Sequence, residues 1–346
     1  GVAERTSPTD IGMAMLSVLA AWDMGLCDCQ KARTLLGSMV SSIERMEKWN
    51  GHLFNWYDTR KLIPLEPRYV SSVDSGNLAG AYIALCAGTI ELNDIALSER
   101  IRKLLNEMRF EPLYDSEKKL FLIGKSISGN ENGACYDLLA SEARLLSYIT
   151  IAKGQAESSH WRRLGRVMSS AGLKSGMASW TGTMFEYFMP ELLLPYYRNS
   201  LVGESLRFCL YCQRRRGRPW GESESAFFAF DAALNYRYKA HGIRELALKR
   251  DAGSDRVCAP YATYLTLPLA PAAAVRNLKR FRKAGCEGRF GFYEALDITP
   301  ARTGSEGFKS VRCFMAHHLG MSLAAADNAL NNNIMVRRFM SDPEME

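Results

Sequence analysis

Residues 11–26 read IGMAMLSVLAAWDMGL. The stretch is apolar enough to raise the question of a membrane span, and its reading sets the fold class. A span needs about 18 or more uninterrupted apolar residues, and Asp23 cuts this one short. Its apolar side chains also recur at helical spacing, which makes it a core helix of a folded domain. Outward from there the same spacing runs through most of the chain. It predicts helices near 9–25, 29–48, 76–92, 94–108, 136–153, 156–168, 180–196, 200–216, 259–269, 271–285, 310–330 and 332–341. Thr9-Asp10, Ser75 and Pro271 supply start signals for three of them. Strand-like runs are few; KLFLIG (119–124) is the best and pairs on paper with EPLY (111–114).

The connections alternate in length. Those near 26–28, 93, 154–155, 197–199, 270 and 331 span a few residues, as inside helical hairpins. Those at 49–75, 109–135, 169–179, 217–258 and 286–309 are long. Six hairpins in series with long loops at alternate joints predict an all-α (α/α)6 barrel over a single domain, 1–346, with a minor β-hairpin in one loop. An open helical solenoid would carry a sequence repeat, and none is visible. In a closed ring the long loops gather at one end of the inner helices.

At 346 residues and 47% hydrophobic, the chain can bury a large core, and 23% charged residues point neither to disorder nor to a coiled coil. The net charge of +7 is spread thin; RRRGR (214–218) and KRFRK (279–283) read as solvated helix ends. No nucleic-acid-binding signature accompanies them, so no nucleic-acid partner is expected. Nor is direct membrane insertion. Nine cysteines, mostly in apolar helical stretches, read as buried free thiols. Cys27-Asp-Cys29 and Cys209-x-x-Cys212 lack a second ligand pair, and His317-His318 point about 100° apart on a helix, so neither metal nor other cofactor is expected. A start at Gly1 suggests a piece of a longer chain.

The chemistry-bearing residues fall in the long loops and at helix starts: NWYDT (55–59), VDSGN (73–77), ISGNENGACYD (127–137), SWTGTMFEY (179–187), PWGESESAFF (219–228), GRFGFYEALD (288–297) and FMAHHLGM (314–321). Flat rings at Trp56, Tyr57, Trp180, Trp220 and Tyr293 suit the apolar faces of sugars. Asp74, Asn77, His317 and His318 suit the hydroxyls around the ring edge. Asp137, Glu186, Glu222, Glu224 and Glu294 supply the carboxylates glycoside chemistry needs, one to protonate the leaving oxygen and one to attack or activate water. Each has a structural counterpart. A lone aromatic such as Trp180 is at home in a core, and a glutamate between aromatics either pairs with an arginine, as Glu294 could with Arg289 or Arg302, or works. Glu222 and Glu224, two apart, point the same way in an extended loop. No nucleotide-binding loop or G-x-S-x-G elbow is present.

NGHLFNWYDTRKLIPLEPRYVSSVDSGNLAG (50–80), SWTGTMFEYFMP (179–190), RRGRPWGESESAF (215–227), APYATYLTLPLAP (259–271), GRFGFYEALDITP (288–300), VRCFMAHHLGM (311–321) and MVRRFMSDP (335–343) together resemble the central, glucoamylase-like domain of bacterial cyclic β-1,2-glucan synthases. The resemblance covers nearly the whole chain in order, and the motifs are also similar to those of endo-β-1,2-glucanases. It implies an (α/α)6 barrel that cuts a β-1,2 linkage with retention and passes the glycosyl group to the chain's own end. It also implies a larger, inner-membrane-associated parent with synthase and phosphorylase parts, this domain lying in the cytoplasm. The W-G-x-S-E-S-A loop carries the acid/base to Glu224, and G-F-Y-E-A carries the nucleophile to Glu294, with Glu186 the rival for either. Glu222 stands where an aliphatic residue is expected. An endo-β-1,2-glucanase and a catalytically idle glucan-binding module are the alternatives.

Overall fold

A computed structural model describes residues 1–127, 129, 133–304 and 307–346; part of the 127–137 cluster, residues 128 and 130–132, lies outside them. The chain is mostly helical and packs as two compact units, Gly1–Asp137 with Ala143–Gly165 and Leu330–Glu346, and Leu138–Glu142 with Arg166–Ala329.

In the first unit the helix opened by residues 11–26 spans Pro8–Asp23, started by a capping box between Ser7 and Asp10. It packs against Ser72–Glu91, a helix buried on nearly every side, as a helix without a polar face must be. Two glycines permit that packing. A Cβ on Gly88 would stand 2.5 Å from Leu19 Cδ1, and one on Gly76 would stand 2.6 Å from Leu146 Cβ on the helix Arg144–Ala152. The amphipathic helices Cys29–Arg45 and Ile95–Glu107 flank this pair, and Ile334–Met340 closes the unit. Arg338, fully buried on that last helix, donates 2.8 Å to Asp23 Oδ1 and 2.9 Å to Glu91 Oε2, tying the C-terminal ends of both central helices. The expected hairpin is present, with Tyr114 opposite Phe121 and Asp115 opposite Leu120, and Cys135–Tyr136 adds a third strand.

In the second unit the helix Leu201–Arg216 packs on the hairpin Met168–Ala171/Lys174–Met177. Pro271–Lys283 also keeps close to its predicted helical span. Four predicted helices are corrected. The 180–196 helix is cut to Met184–Phe188 and a 3-10 turn, Met189–Leu192, because Gly182 sits at φ +76° and Pro190 has no N–H to donate. The 259–269 helix shrinks to Pro260–Tyr264. The 310–330 helix starts only at Ala316, since Lys309–Val311 pairs with Ala295–Asp297 as the edge of a three-stranded antiparallel sheet completed by Val257–Cys258. The 136–153 helix likewise begins at Arg144, and residues 138–142 fold with the second unit. The long loops hold more β-structure than the single predicted hairpin. The chief addition is Glu224–Phe230 paired with Tyr236–Ala240, whose turn is closed by Asp231 Oδ1 accepting from Ala233 N and Asn235 N at 2.9 Å each.

Candidate active site

The PWGESESA loop is held by two buried amides. Gln213 Oε1 accepts from Gly221 N (3.1 Å) and Glu222 N (2.9 Å), while its Nε2 donates to Glu222 O (2.8 Å). Asn277 does the same for Trp220, accepting from its N–H at 3.2 Å and donating to its carbonyl at 2.7 Å. Backbone donors and acceptors that a glycine-bearing loop could not satisfy itself are thereby paired. The chain then enters a strand at Glu224, and Tyr261 Oη donates to Glu224 O at 2.9 Å. The two neighbouring carboxylates have different surroundings. Glu222 is buried against Arg216 Nε (3.1 Å) and Arg256 Nε (3.5 Å), where burial raises its pKa against the pull of both arginines. Glu224 is partly exposed, with Tyr238 Oη 3.5 Å from its Oε2.

Glu294 lies far along the sequence but beside the same strand in space. Its Oε1 accepts from Ala226 N at 3.2 Å, and both its oxygens meet His318 Nδ1, at 3.0 and 3.1 Å. Neither expected arginine reaches it: Arg302 pairs with Asp297 and Asp255, and Arg289 lies over the Phe290 ring. The His318 ring is buried, stacked on Tyr261 with centroids 3.6 Å apart and planes 6° from parallel, and Tyr238 stacks farther out at 6.2 Å. His317 is half-buried, its ring 4.1 Å from that of His318. Among the described residues no group of three metal-ligating side chains comes together.

Glu186 occupies the third helical position of a capping box with Thr183. Its carboxylate accepts from five donors: Ser179 Oγ, Thr181 N and Oγ1, and Thr183 N and Oγ1, at 2.7–3.0 Å. A carboxylate so fully bonded is committed to fixing the 179–183 turn. Beside it stands a residue the sequence reading missed. Glu142, in the LLASEARLL run, reads there as one turn of a helix, yet it folds with the second unit. Burial, then the Glu186 and Glu224 carboxylates, push its pKa up to about 8, and Ser141 Oγ donates to its Oε2 at 3.2 Å.

The predicted sugar-binding residues divide. Trp180 is 58% exposed, an open aromatic face, and Tyr293 is half-buried, 5.7 Å from Phe314. Trp220, 3% exposed, and Tyr57, fully buried with its hydroxyl donating to Glu47 O, are corrected to core residues, for neither has a face to offer a sugar. In the first unit Trp56 is half-buried under Arg5, 4.8 Å from the ring. Asp74 there accepts from Thr9 Oγ1 at 2.6 Å, and the buried Asn77 donates to the same hydroxyl at 3.1 Å, so the pair anchors a helix–helix contact.

The chain matches the Glycoamylase family, described as "Putative glucoamylase", over residues 135–343. It belongs to that family. It is also 33% identical, over an alignment of 479 positions that includes the whole chain, to the cyclic β-(1,2)-glucan synthase NdvB of Rhizobium meliloti strain 1021, and spans 17% of that relative's length. An endo-β-1,2-glucanase from Chitinophaga pinensis, solved with sophorotriose and glucose, superposes with a TM-score of 0.78 at 15% identity, over 99% of this chain and 86% of that one. One from Talaromyces funiculosus, solved with sophorose, gives 0.75 at 13% identity, over 98% and 77%. No helix among the described residues is long and apolar enough to cross a membrane.

Proposed function

We propose that this Glycoamylase-family chain is a glycoside hydrolase-type transglycosylase that cleaves β-1,2-glucosidic bonds with retention and transfers the glycosyl group within linear β-1,2-glucan to close a ring. The substrate class follows the glucan synthase and glucanases it resembles. The observation that carries the mechanism is the placing of Glu142, in a buried setting, against the Glu186 and Glu224 carboxylates. Glu142 keeps its proton to about pH 8, and one of the charges responsible is the partly exposed Glu224. Two carboxyls whose surroundings push them apart make an acid and an ionised partner. Glu142 therefore takes the proton-donor role that the sequence reading gave Glu224, and Glu224 attacks the anomeric carbon. Glu294, bonded to His318, orients that ring rather than attacking. In the first step the bond from C1 to the leaving oxygen breaks as that oxygen takes the Glu142 proton. In the second, Glu142 recovers a proton from the incoming hydroxyl, which displaces Glu224. Trp180 and Tyr293 are the aromatic contacts.

The proposal extends to the closed (α/α)6 ring as one catalytic domain over 1–346, and to a cytoplasmic domain of a larger, membrane-associated synthase whose other parts are its partners. Azide tests the roles on an aryl β-sophoroside: Glu224→Gly should yield the α-glycosyl azide and Glu142→Ala the β-azide. Neither product, or the α-azide from Glu294→Gly instead, rejects the assignment. A second reading, hydrolysis by water as in an endo-β-1,2-glucanase, is favoured by the solved relatives. Mass spectrometry after incubation with linear β-1,2-glucan separates the two, since hydrolysis yields linear fragments only.

A further inference from the structure

Tyr238 has no part in the two-step chemistry, yet its hydroxyl stands 3.5 Å from Glu224 Oε2 and 3.5 Å from His318 Nε2. A phenol has one proton, so it donates fully to one of two acceptors at a time. His318 Nδ1 faces both Glu294 oxygens, and the neutral tautomer that serves this pair carries its N–H there and leaves Nε2 the acceptor. Stacking on Tyr261 holds the ring in that plane. Among the described residues, the titratable groups facing the two rings include Glu224 at the start of its strand, Glu294 ahead of Ala295–Asp297, Tyr261 on Pro260–Tyr264 and His317 beside His318. Tyr238 is 43% exposed, but desolvation around its hydroxyl, then Glu224, Tyr261 and Glu294, raise its pKa above the usual phenol value, so the hydroxyl keeps its proton through the working range.

Resting on the reading of Glu224 as the attacking carboxylate, we propose that Tyr238 is a positioning residue whose hydroxyl hydrogen bond passes from Glu224 to His318 Nε2 as Glu224 becomes glycosylated, and back as it is freed. An ester oxygen is a weaker acceptor than a carboxylate, so forming the C1–O bond removes the first acceptor while the buried Glu294–His318 pair presents the second. No proton leaves the phenol oxygen; only its acceptor changes. The hydroxyl thus holds the free carboxylate ionised and aimed, and does not oppose its esterification.

The test is Tyr238→Phe, which keeps the ring stacked on His318. We expect kcat to fall roughly 10- to 100-fold with KM little changed. Loss of a donor to the carboxylate should also raise the acid limb of kcat/KM by about 0.5–1 pH unit. A fall in kcat with the acid limb unmoved would overturn the proposal and leave a packing role. If the phenylalanine variant does not fold, 3-fluorotyrosine at 238, a stronger donor of nearly the same shape, should move the limb to lower pH; no movement overturns the proposal equally. The azide products decide the other question separately. An α-azide from Glu224→Gly with an unmoved limb rejects only the Tyr238 relay, whereas an α-azide from Glu294→Gly rejects the underlying reading.

Discussion

At the scale of single residues, the proposed acid Glu142 should set the pH behaviour. Its folded pKa is raised, so it is protonated below about pH 8 and loses its proton above. A donor must be protonated to act, so kcat/KM should fall as pH rises through about 8, and Glu142→Gln should lower kcat by about 10²–10⁴ and abolish that limb. A pH–rate profile measures both. Glu186 contributes at one remove. Glu186→Gln takes away a negative charge that raises the Glu142 pKa, so the alkaline limb should move to lower pH. The same change puts an amide NH2 against donors from Ser179, Thr181 and Thr183, at a cost of about 1–3 kcal/mol in thermal or denaturant unfolding. Glu224, Glu294 and His318 were legible in the sequence because carboxylates and imidazole set among aromatics and glycines are hard to place as surface. Glu142 was not, because Leu138, Leu139, Leu145 and Leu146 around it keep a helical spacing and its perturbing neighbours lie 44 and 82 positions away (186 − 142 and 224 − 142).

At the scale of elements, helices with a long apolar stripe and local stop signals were readable to within a few residues: Pro8–Asp23, Leu201–Arg216 and Pro271–Lys283. The failures have non-local causes. Lys309–Val311 is a strand only because Ala295–Asp297 pairs with it, and the 224–240 hairpin depends on an Asp231 turn in a stretch without alternating apolar character. Trp220 looked like a sugar platform because nothing nearby in sequence reveals Asn277, 57 positions on, clamping its backbone. Asn277→Ala should leave the Trp220 N–H unpaired and its carbonyl with only Thr263 Oγ1, 3.4 Å away, and cost about 1–3 kcal/mol. With the loop loosened ahead of Glu224, kcat should drop, and because the Glu224 charge helps to raise the Glu142 pKa, the alkaline limb of a pH–rate profile should move to lower pH as that carboxylate moves away.

At the scale of the whole molecule, stability rests partly on one buried cation. Arg338 joins Asp23 and Glu91, residues far apart in sequence, at the ends of the two central helices of the first unit. Arg338→Met leaves Asp23 a buried charge with no counter-ion, which should cost roughly 3–5 kcal/mol and lower the unfolding midpoint measured by calorimetry. The repacking of residues 138–142 has a practical outcome for anyone who trims this chain. A fragment beginning at Arg166 would retain Glu224, Glu294 and His318 yet arrive without its acid, because five residues borrowed from an earlier stretch of sequence bring Glu142 in.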